Sequence, residues 1–141
     1  MTNSSLARSY LKKAAARLAL LPILKKKGAY SDLVREAQEI VELSLKGMLR
    51  QVGVEPPKWH DVGSLLVKNA DRFEASVRER IPSLAEASEW LRAERELSFY
   101  GDVDFIPTEQ YGPREGRRAA AAAKLSVQTA RWVIKPKRNK P

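Results

Sequence analysis

The sequence predicts an all-α protein, an antiparallel up-and-down bundle of four long helices plus one shorter helix. Apolar residues recur at three- and four-residue spacing along most of the chain, and no long stretch alternates with a period of two. The 141 residues suffice for one ordinary domain, and 43% of them are hydrophobic, as in soluble globular proteins. We therefore predict one domain over residues 1–134 and a basic, disordered tail over residues 135–141.

The first helix is predicted over residues 4–26. Pro22 lacks a backbone N–H and should kink the helix or end its regular part, and Gly28 should supply the stop. Its apolar stripe consists of Leu6, Tyr10, Ala14, Leu18 and Leu21. The apolar run 18–24 is too short for a membrane span, and three lysines follow it rather than a signal-peptide cleavage site.

The second predicted helix begins with Ser31 as its N-cap and ends at Gly53. It has a wide apolar face, formed by Leu33, Ala37, Ile40, Val41, Ser44, Met48 and Val52. The adjacent residues Pro56 and Pro57 then require a loop, because neither can continue a helix.

The third and fourth helices follow that loop. The third is predicted to begin at His60 or Asp61, with an apolar stripe of Val62, Leu65, Leu66, Asn69 and Phe73. The fourth opens at Pro82 and Ser83, since Ser83 and Glu86 have the spacing of a capping box. Its inner face is Leu84, Ala87, Leu91 and Ser98, and it ends close to Gly101.

The fifth helix is predicted to begin at Pro113, because proline is favoured in the first turn. Its stripe is Ala120, Ala123, Val127, Ala130 and Ile134. The alanine run 119–123 favours helix formation and allows a neighbouring helix to approach closely.

The net charge of +9 is distributed unevenly along the chain. Residues 1–27 carry +7 and residues 113–141 carry +8, whereas the segment between them carries −6. If the first and last helices lie side by side, they form one basic face that attracts phosphate-rich partners. The alternative is a solubilising surface that ends in a solvated tail.

Several classes of chemistry are disfavoured by composition. The chain has no Cys, which excludes disulfides and thiolate chemistry and makes the cytoplasm the expected compartment. With His60 as the one histidine, we expect no structural zinc site, and we expect no cofactor. No glycine-rich phosphate loop is present. Asp102 and Asp104 can hold a hard cation, but two loop carboxylates more often form turns.

Three stretches of the chain together resemble the HEPN family (higher eukaryotes and prokaryotes nucleotide-binding domain). Residues 37–49 resemble the family's helix with Gln, Glu and Lys at successive turns. Residues 58–62 are similar to its His-Asp entry into the third helix, and residues 92–102 occupy the place of its Arg-containing motif. The resemblance covers residues 4–134.

This resemblance implies a helical bundle that forms a homodimer and binds a nucleotide or RNA in a cleft near the two-fold axis. Many relatives are paired with a nucleotidyltransferase, in toxin–antitoxin fashion or otherwise. Active members are metal-independent RNases with an Arg and a His separated by four to six residues. Here the corresponding positions after Arg95 hold Tyr100, Gly101 and Asp102. The motif is therefore incomplete, and the sequence leaves open whether the protein is an enzyme.

The candidate residues for the nucleotide or RNA site are Arg92, Arg95, Tyr100, Asp102 and His60. Arg92 and Arg95 share a face of the fourth helix and can clamp phosphate oxygens, or else pair with the glutamates around them. Tyr100 can stack on a base or, as in some relatives, accept a nucleotidyl group; the alternative is a packed core or interface residue. His60 can act as an acid or base, or pack at the start of its helix.

Other conspicuous residues are predicted to have structural roles. Glu42 and Lys46 have the order and spacing of an ion pair within one helix. Trp59, Trp90 and Trp132 are expected to anchor the core or an interface.

Three functions agree with the sequence. The first is a HEPN-type domain that binds a nucleotide or RNA and works with a nucleotidyltransferase partner. The second is a metal-independent endoribonuclease with a degenerate motif, in which His60 or Tyr100 replaces the missing His. The third is a non-catalytic adaptor bundle that binds another protein.

Overall fold

The computed structural model describes residues 3–56, 58 and 61–136. Within these residues it contains α-helices, one 3-10 turn over Ala70–Arg72 and no strand. The helices are α1 (Asn3–Leu18), α2 (Leu21–Lys26), α3 (Tyr30–Gln51), α4 (Val62–Lys68), α5 (Ala75–Arg78), α6 (Ile81–Phe99), α7 (Pro107–Gln110) and α8 (Pro113–Val133). The predicted all-α class is confirmed.

The long helix α3 lies at the centre of the bundle, in contact with α1, α6 and α8. Its fully buried apolar residues are Leu33, Val34, Ala37, Ile40, Val41, Leu45, Met48 and Leu49. This set extends over most of the helix circumference because three long helices pack on it. The wide apolar face predicted for this segment is therefore confirmed.

Helix α1 runs antiparallel to α3. Near the end of α1, Arg17 Nη1 lies 2.9 Å from Glu36 Oε1 at the beginning of α3. At the start of α1, Asn3 Oδ1 accepts a hydrogen bond of 3.2 Å from Arg50 at the end of α3. These two contacts fix the direction of α1.

Helix α6 also runs antiparallel to α3, whereas α8 runs parallel to it. Arg95 and Phe99, late in α6, lie beside Glu39 and Arg35, early in α3. Glycines of α3 and α8 mark the close approach of these two helices: Gly116 lies against Tyr30, and Gly47 lies against Ile134. The four long helices thus alternate in direction along the chain, as an up-and-down bundle requires.

The first predicted helix is divided in two. The helical pattern is interrupted at residues 19–20, and Pro22 lies in the first turn of α2, where its missing N–H costs no hydrogen bond. The predicted stripe is wrong at Leu6, which is 37% exposed, whereas Ala7 is fully buried. Alanine at positions 7 and 14 allows the backbone of α1 to approach α3 closely.

Two predicted helix caps are wrong. Ser31 is buried within α3, which begins one residue earlier after Ala29. Ser83 lies inside α6 because that helix begins at Ile81, with proline accommodated in its first turn. Asp61, one of the two residues at which the third helix was predicted to begin, is the N-cap of α4, since its Oδ1 accepts a 3.0 Å hydrogen bond from the backbone N–H of Gly63.

The count of four long helices agrees with the prediction, but the number of short ones does not. The stripe predicted from Val62 to Phe73 is divided, because α4 ends at Lys68 and the 3-10 turn follows. The described chain therefore has four short helices where one was predicted. No helix among residues 3–56 and 61–136 is long and apolar enough to cross a membrane.

The C-terminal helix ends at Val133, and Ile134 after it is buried. The predicted start at Pro113 is confirmed. Of the predicted stripe, Ala123, Val127, Ala130 and Ile134 are buried, whereas Ala120 is only half-buried. Residues 137–141 of the predicted tail lie outside the described residues, so the tail stays a prediction.

Candidate functional site

Four of the five candidate residues lie at the end of α6 and in the loop that follows it. Arg92 and Arg95 are exposed on α6, Tyr100 follows its last residue, and Asp102 begins the loop. His60 lies outside the described residues. We refer to Arg92, Arg95, Tyr100 and Asp102 as the arginine surface.

Arg95 contacts α3 through a carboxylate that it shares with a second arginine. Glu39 Oε1 lies 2.6 Å from Arg35 Nη1 and 4.0 Å from Arg95 Nη2. Arg95 therefore makes only a long contact with this carboxylate, and its positive charge also acts on the carboxylate of Glu42. The partner of Arg95 in this contact is thus a glutamate of α3 and not one of the neighbouring glutamates of α6.

A narrow crevice beside this contact is lined by Arg92 of α6 and by Gln38 and Glu42 of α3. Gln38 is 2% exposed, and its Nε2 donates a 2.7 Å hydrogen bond to Glu42 Oε2. Lys46 Nζ lies 3.1 Å from Glu42 Oε1, which confirms the predicted ion pair. Burial raises the pKa of the Glu42 carboxyl, but the hydrogen bonds from Gln38 and Lys46 and the positive charges of Lys46 and Arg95 together outweigh it, and the pKa lies below its usual value.

Tyr100 is 78% exposed, so the alternative of a packed core residue is wrong. It directly follows the last residue of α6, and the loop begins after it at Gly101. Its ring meets the ring of Phe99 edge to face, with centroids 4.8 Å apart. The guanidinium carbon of Arg35 lies 5.9 Å from the Phe99 centroid. This end of α6 therefore combines exposed aromatic rings with cationic side chains.

The loop after α6 makes a tight turn around Asp102. The backbones of Asp102 and Phe105 exchange two hydrogen bonds of 2.9 Å, and Asp102 Oδ1 accepts a 2.6 Å hydrogen bond from the Val103 N–H. This is the turn-forming role expected of an aspartate. Among the described residues, no three His, Asp or Glu side chains form a group that holds a metal ion.

The far end of this loop is attached to α6 by a contact that the sequence analysis missed. The hydroxyl of Tyr111, a residue 7% exposed, donates a short hydrogen bond to Glu94 Oε2. Burial and this hydrogen bond raise the pKa of Tyr111. Glu94 and Tyr111 are 17 residues apart, so no local spacing indicates the pair.

A second feature lies on another side of α3, where α2 and the first half of α8 meet. A cleft of about 220 Å³ opens there. We call it the basic cleft, and its lining is Lys25, Tyr30, Pro113, Gly116, Arg117, Ala120, Ala121 and Lys124. Since α1 and α2 both contact α8, the two basic ends of the chain are adjacent, which was the condition for a shared basic face.

Two tryptophans lie between α6 and α8 rather than in the core. Arg118 of α8 lies over the ring of Trp90, and Arg80, just before α6, lies over the ring of Trp132, both at 4.0 Å. Trp90 is half-buried and Trp132 is 47% exposed. Trp132 is therefore not a core anchor, and its predicted role as an interface anchor stays a prediction. Trp59 lies outside the described residues.

Comparison with known proteins gives one family match. The model of the HEPN domain family matches residues 7–139, which is nearly the whole chain. Neither the curated proteins nor the solved structures contain a significant match to the chain.

Proposed function

We propose a function on the premise that this chain belongs to the HEPN domain family. The proposed activity is binding of a nucleotide or an RNA segment at the arginine surface. The proposal extends to a homodimer and to a nucleotidyltransferase partner in a toxin–antitoxin-like pair.

The observation that carries this proposal is the sharing of one carboxylate by two arginines. Arg35 holds Glu39 Oε1 at 2.6 Å, whereas Arg95 Nη2 lies 4.0 Å from it, so Arg95 has no short contact with this carboxylate. A phosphate oxygen next to Arg95 can accept a short hydrogen bond from its guanidinium group, and a charged hydrogen bond of this kind is worth about 1.5–3 kcal/mol.

The other residues of the arginine surface complement a nucleotide. The exposed ring of Tyr100 presents a face on which a base can stack. The exposed carboxylate of Asp102 can accept a hydrogen bond from a ribose hydroxyl. Arg92 lies one helical turn before Arg95 and adds a second guanidinium for the same backbone.

The test is the affinity of a fluorescently labelled oligouridylate for the wild-type protein and for Arg95→Ala. We expect binding to weaken about 10- to 100-fold, from the loss of one charged hydrogen bond. Arg131→Ala is the matched control, because Arg131 is exposed on the last turn of α8 and its replacement removes the same charge. Equal losses in the two variants would refute a specific role for Arg95.

The same preparations test for catalysis. RNA cleavage by the wild-type protein that disappears in Arg95→Ala would identify a ribonuclease with a degenerate motif. Intact RNA in every sample supports binding without cleavage. His60→Ala is included because His60 is the one histidine available as a general acid or base.

A homodimer through the end of α6 is supported by exposed apolar residues. Phe99, whose ring contacts that of Tyr100, is 52% exposed, and Val103, in the loop that follows, is 87% exposed. Contiguous exposed apolar residues mark interaction surfaces. Sedimentation should give a dimer for the wild-type protein and a monomer for Val103→Asp. Val67→Asp, at an exposed valine of α4, should leave the dimer intact.

The nucleotidyltransferase partner has a potential target in the hydroxyl of Tyr100. In such a reaction the phenolic oxygen bonds to the α-phosphorus of a nucleoside triphosphate, pyrophosphate leaves, and the phenolic proton passes to water. Mass spectrometry of the protein isolated from its own cells should then find a nucleotidyl group on Tyr100. Unmodified Tyr100 in those cells would count against this role.

A further inference from the structure

The basic cleft lies apart from the arginine surface and has its own chemistry. Lys25, Arg117 and Lys124 are exposed along its rim. Among the described residues, none of the three forms an ion pair, and no acidic residue lines the cleft. Three cations on one rim, with no carboxylate in the lining, repel one another, and an anion of high charge relieves that repulsion.

The floor of the cleft is apolar. Ala120 and Ala121 present only methyl groups, and the ring of Tyr30 lies at one side. A Cβ built on Gly116 would lie 2.7 Å from Tyr30 Cδ1, so glycine is what allows the ring to lie against α8. The remaining surface of the ring is half-buried and lines the cleft.

A cationic rim over an aromatic and methyl-lined floor fits a ligand that joins a phosphate to a planar ring. We infer that the basic cleft binds a nucleoside phosphate unit, its phosphate at Lys25, Arg117 and Lys124 and its base against Tyr30. The unit is either a free nucleotide or one residue of an RNA strand. The cleft of about 220 Å³ is smaller than the roughly 300–1,000 Å³ of sites for drug-sized ligands, which favours a single unit.

Another cleft of the bundle has the opposite charge. Between α4 and α6 the lining includes Asp61, Glu86 and Glu89, and no cation. Phosphate is repelled there, so the inferred site does not follow merely from the presence of a depression on the surface.

The experiment compares labelled oligouridylate and unlabelled uridine monophosphate on four proteins by fluorescence anisotropy at several salt concentrations. The cleft variant is Lys25→Ala/Arg117→Ala/Lys124→Ala. Its charge-matched control is Lys12→Ala/Lys13→Ala/Lys68→Ala, three exposed lysines that do not line the cleft. The other two proteins are the wild type and Arg95→Ala.

We expect the cleft variant to bind oligouridylate roughly tenfold more weakly than the control variant does. The slope of log affinity against log salt should fall by about 0.7, the contribution of the one phosphate that the cleft is inferred to hold. Equal losses and equal slopes in the two triple variants would overturn the inference, because attraction would then follow net charge alone.

The ring contact has its own test. Tyr30→Leu should weaken oligouridylate binding by about 5- to 100-fold, the usual effect of removing one stacked base, whereas Tyr30→Phe should bind as the wild type does. Equal binding by the wild type and Tyr30→Leu would overturn the stacking contact, provided that both variants melt like the wild type.

Competition identifies the source of the nucleotide and the class of ligand. Displacement by uridine monophosphate indicates a free nucleotide, and displacement only by unlabelled oligouridylate indicates an RNA strand; both support the inference. A glutamate-rich peptide that competes equally well would overturn it. If the cleft variant loses binding and Arg95→Ala does not, only the proposed site at the arginine surface is refuted. If Arg95→Ala loses binding and the cleft variant does not, only the inferred site in the basic cleft is refuted.

Discussion

Gly101 holds the beginning of the loop after α6 in a backbone conformation that other residues adopt only with strain. Its φ is 68°, in the left-handed region. A Cβ at this position would overlap the carbonyl oxygen of Phe105 and lie 2.5 Å from Pro107 Cδ. Both the torsion angle and the space therefore require glycine.

We expect Gly101→Ala to destabilise the protein by more than the roughly 1–2 kcal/mol that a left-handed alanine costs. Gly28→Ala is the matched control, since its φ is 69° and no heavy atom lies within 4 Å of the added Cβ. Urea denaturation of both variants separates the cost of overlap from that of the torsion angle. Equal losses of stability in Gly101→Ala and Gly28→Ala would mean that the loop moves away from the added Cβ at no cost in free energy.

The carboxyl group of Glu42 should make the free energy of unfolding depend on pH in the acid range. Its pKa is lowered in the folded state, so its contribution to stability is present above its usual pKa of 4.5 and is lost as the pH falls through the folded value. Glu42→Gln should cost about 0.5–1 kcal/mol at neutral pH and little at about pH 3. Urea denaturation across this range checks the expectation.

The control is Glu55→Gln at an exposed loop position, which should change stability little at any pH. A constant difference between the wild type and Glu42→Gln from neutral to acid pH would contradict the assigned role of the Glu42 carboxylate.

Within the arginine surface, only the features formed by residues close together in the sequence could be predicted. Arg92 and Arg95 lie one turn apart on a helix, so their shared face follows from helix geometry. The partner of Arg95 is Glu39 on another helix, and Glu94 bonds Tyr111 across the loop. Neither contact has a local pattern, because each depends on how separate elements pack.

At the scale of the elements, α4 is held against α6 by a glycine contact. An added Cβ at Gly63 would lie 3.0 Å from the Cα and 3.1 Å from the carbonyl oxygen of Ala85. Both atoms belong to the backbone of α6, which cannot move aside as the end of a side chain can.

Gly63→Ala should therefore destabilise the protein by about 1–3 kcal/mol, although alanine favours helices more than glycine does. Val67→Ala in the same helix is the control, because Val67 is 52% exposed and its change should stay within about 0.5 kcal/mol. Thermal melts would contradict this account if Gly63→Ala were as stable as the wild type.

The boundaries of the long helices were predictable where proline or glycine fixes them. Pro113 begins α8 as expected, and Gly53, with a φ of 84°, follows the end of α3 as expected. Serine gave false caps, because Ser31 and Ser83 lie within helices that begin slightly earlier. Several residues could begin each helix, and tertiary packing decides which of them does so. The local sequence alone therefore does not predict the first residue.

At the scale of the whole molecule, the amphipathic pattern predicted the up-and-down order of the helices. It did not predict which helices pack against one another. Helical periodicity identifies a buried face without identifying what covers it. The central position of α3, and the contact of α2 with α8 that creates the basic cleft, depend on the arrangement of all four long helices.

The basic segments should make RNA binding strongly dependent on salt. For three to four phosphate contacts, raising monovalent salt from about 50 to 200 mM should weaken oligouridylate binding roughly 20- to 50-fold. Anisotropy titrations across that range measure the slope. A nearly flat slope would exclude phosphate contacts as the main source of affinity.

The parallel packing of α3 and α8 has a consequence for the order of folding. Tyr30 and Gly116 touch, yet 85 residues lie between them, so their contact closes a long loop, whereas α1 and α3 are separated only by the short helix α2. We expect α1 and α3 to pair early and α8 to dock late. Until α8 docks, the nascent chain leaves part of the apolar surface of α3 uncovered and has no basic cleft. Completion of the core and appearance of the inferred nucleotide site would then be a single event.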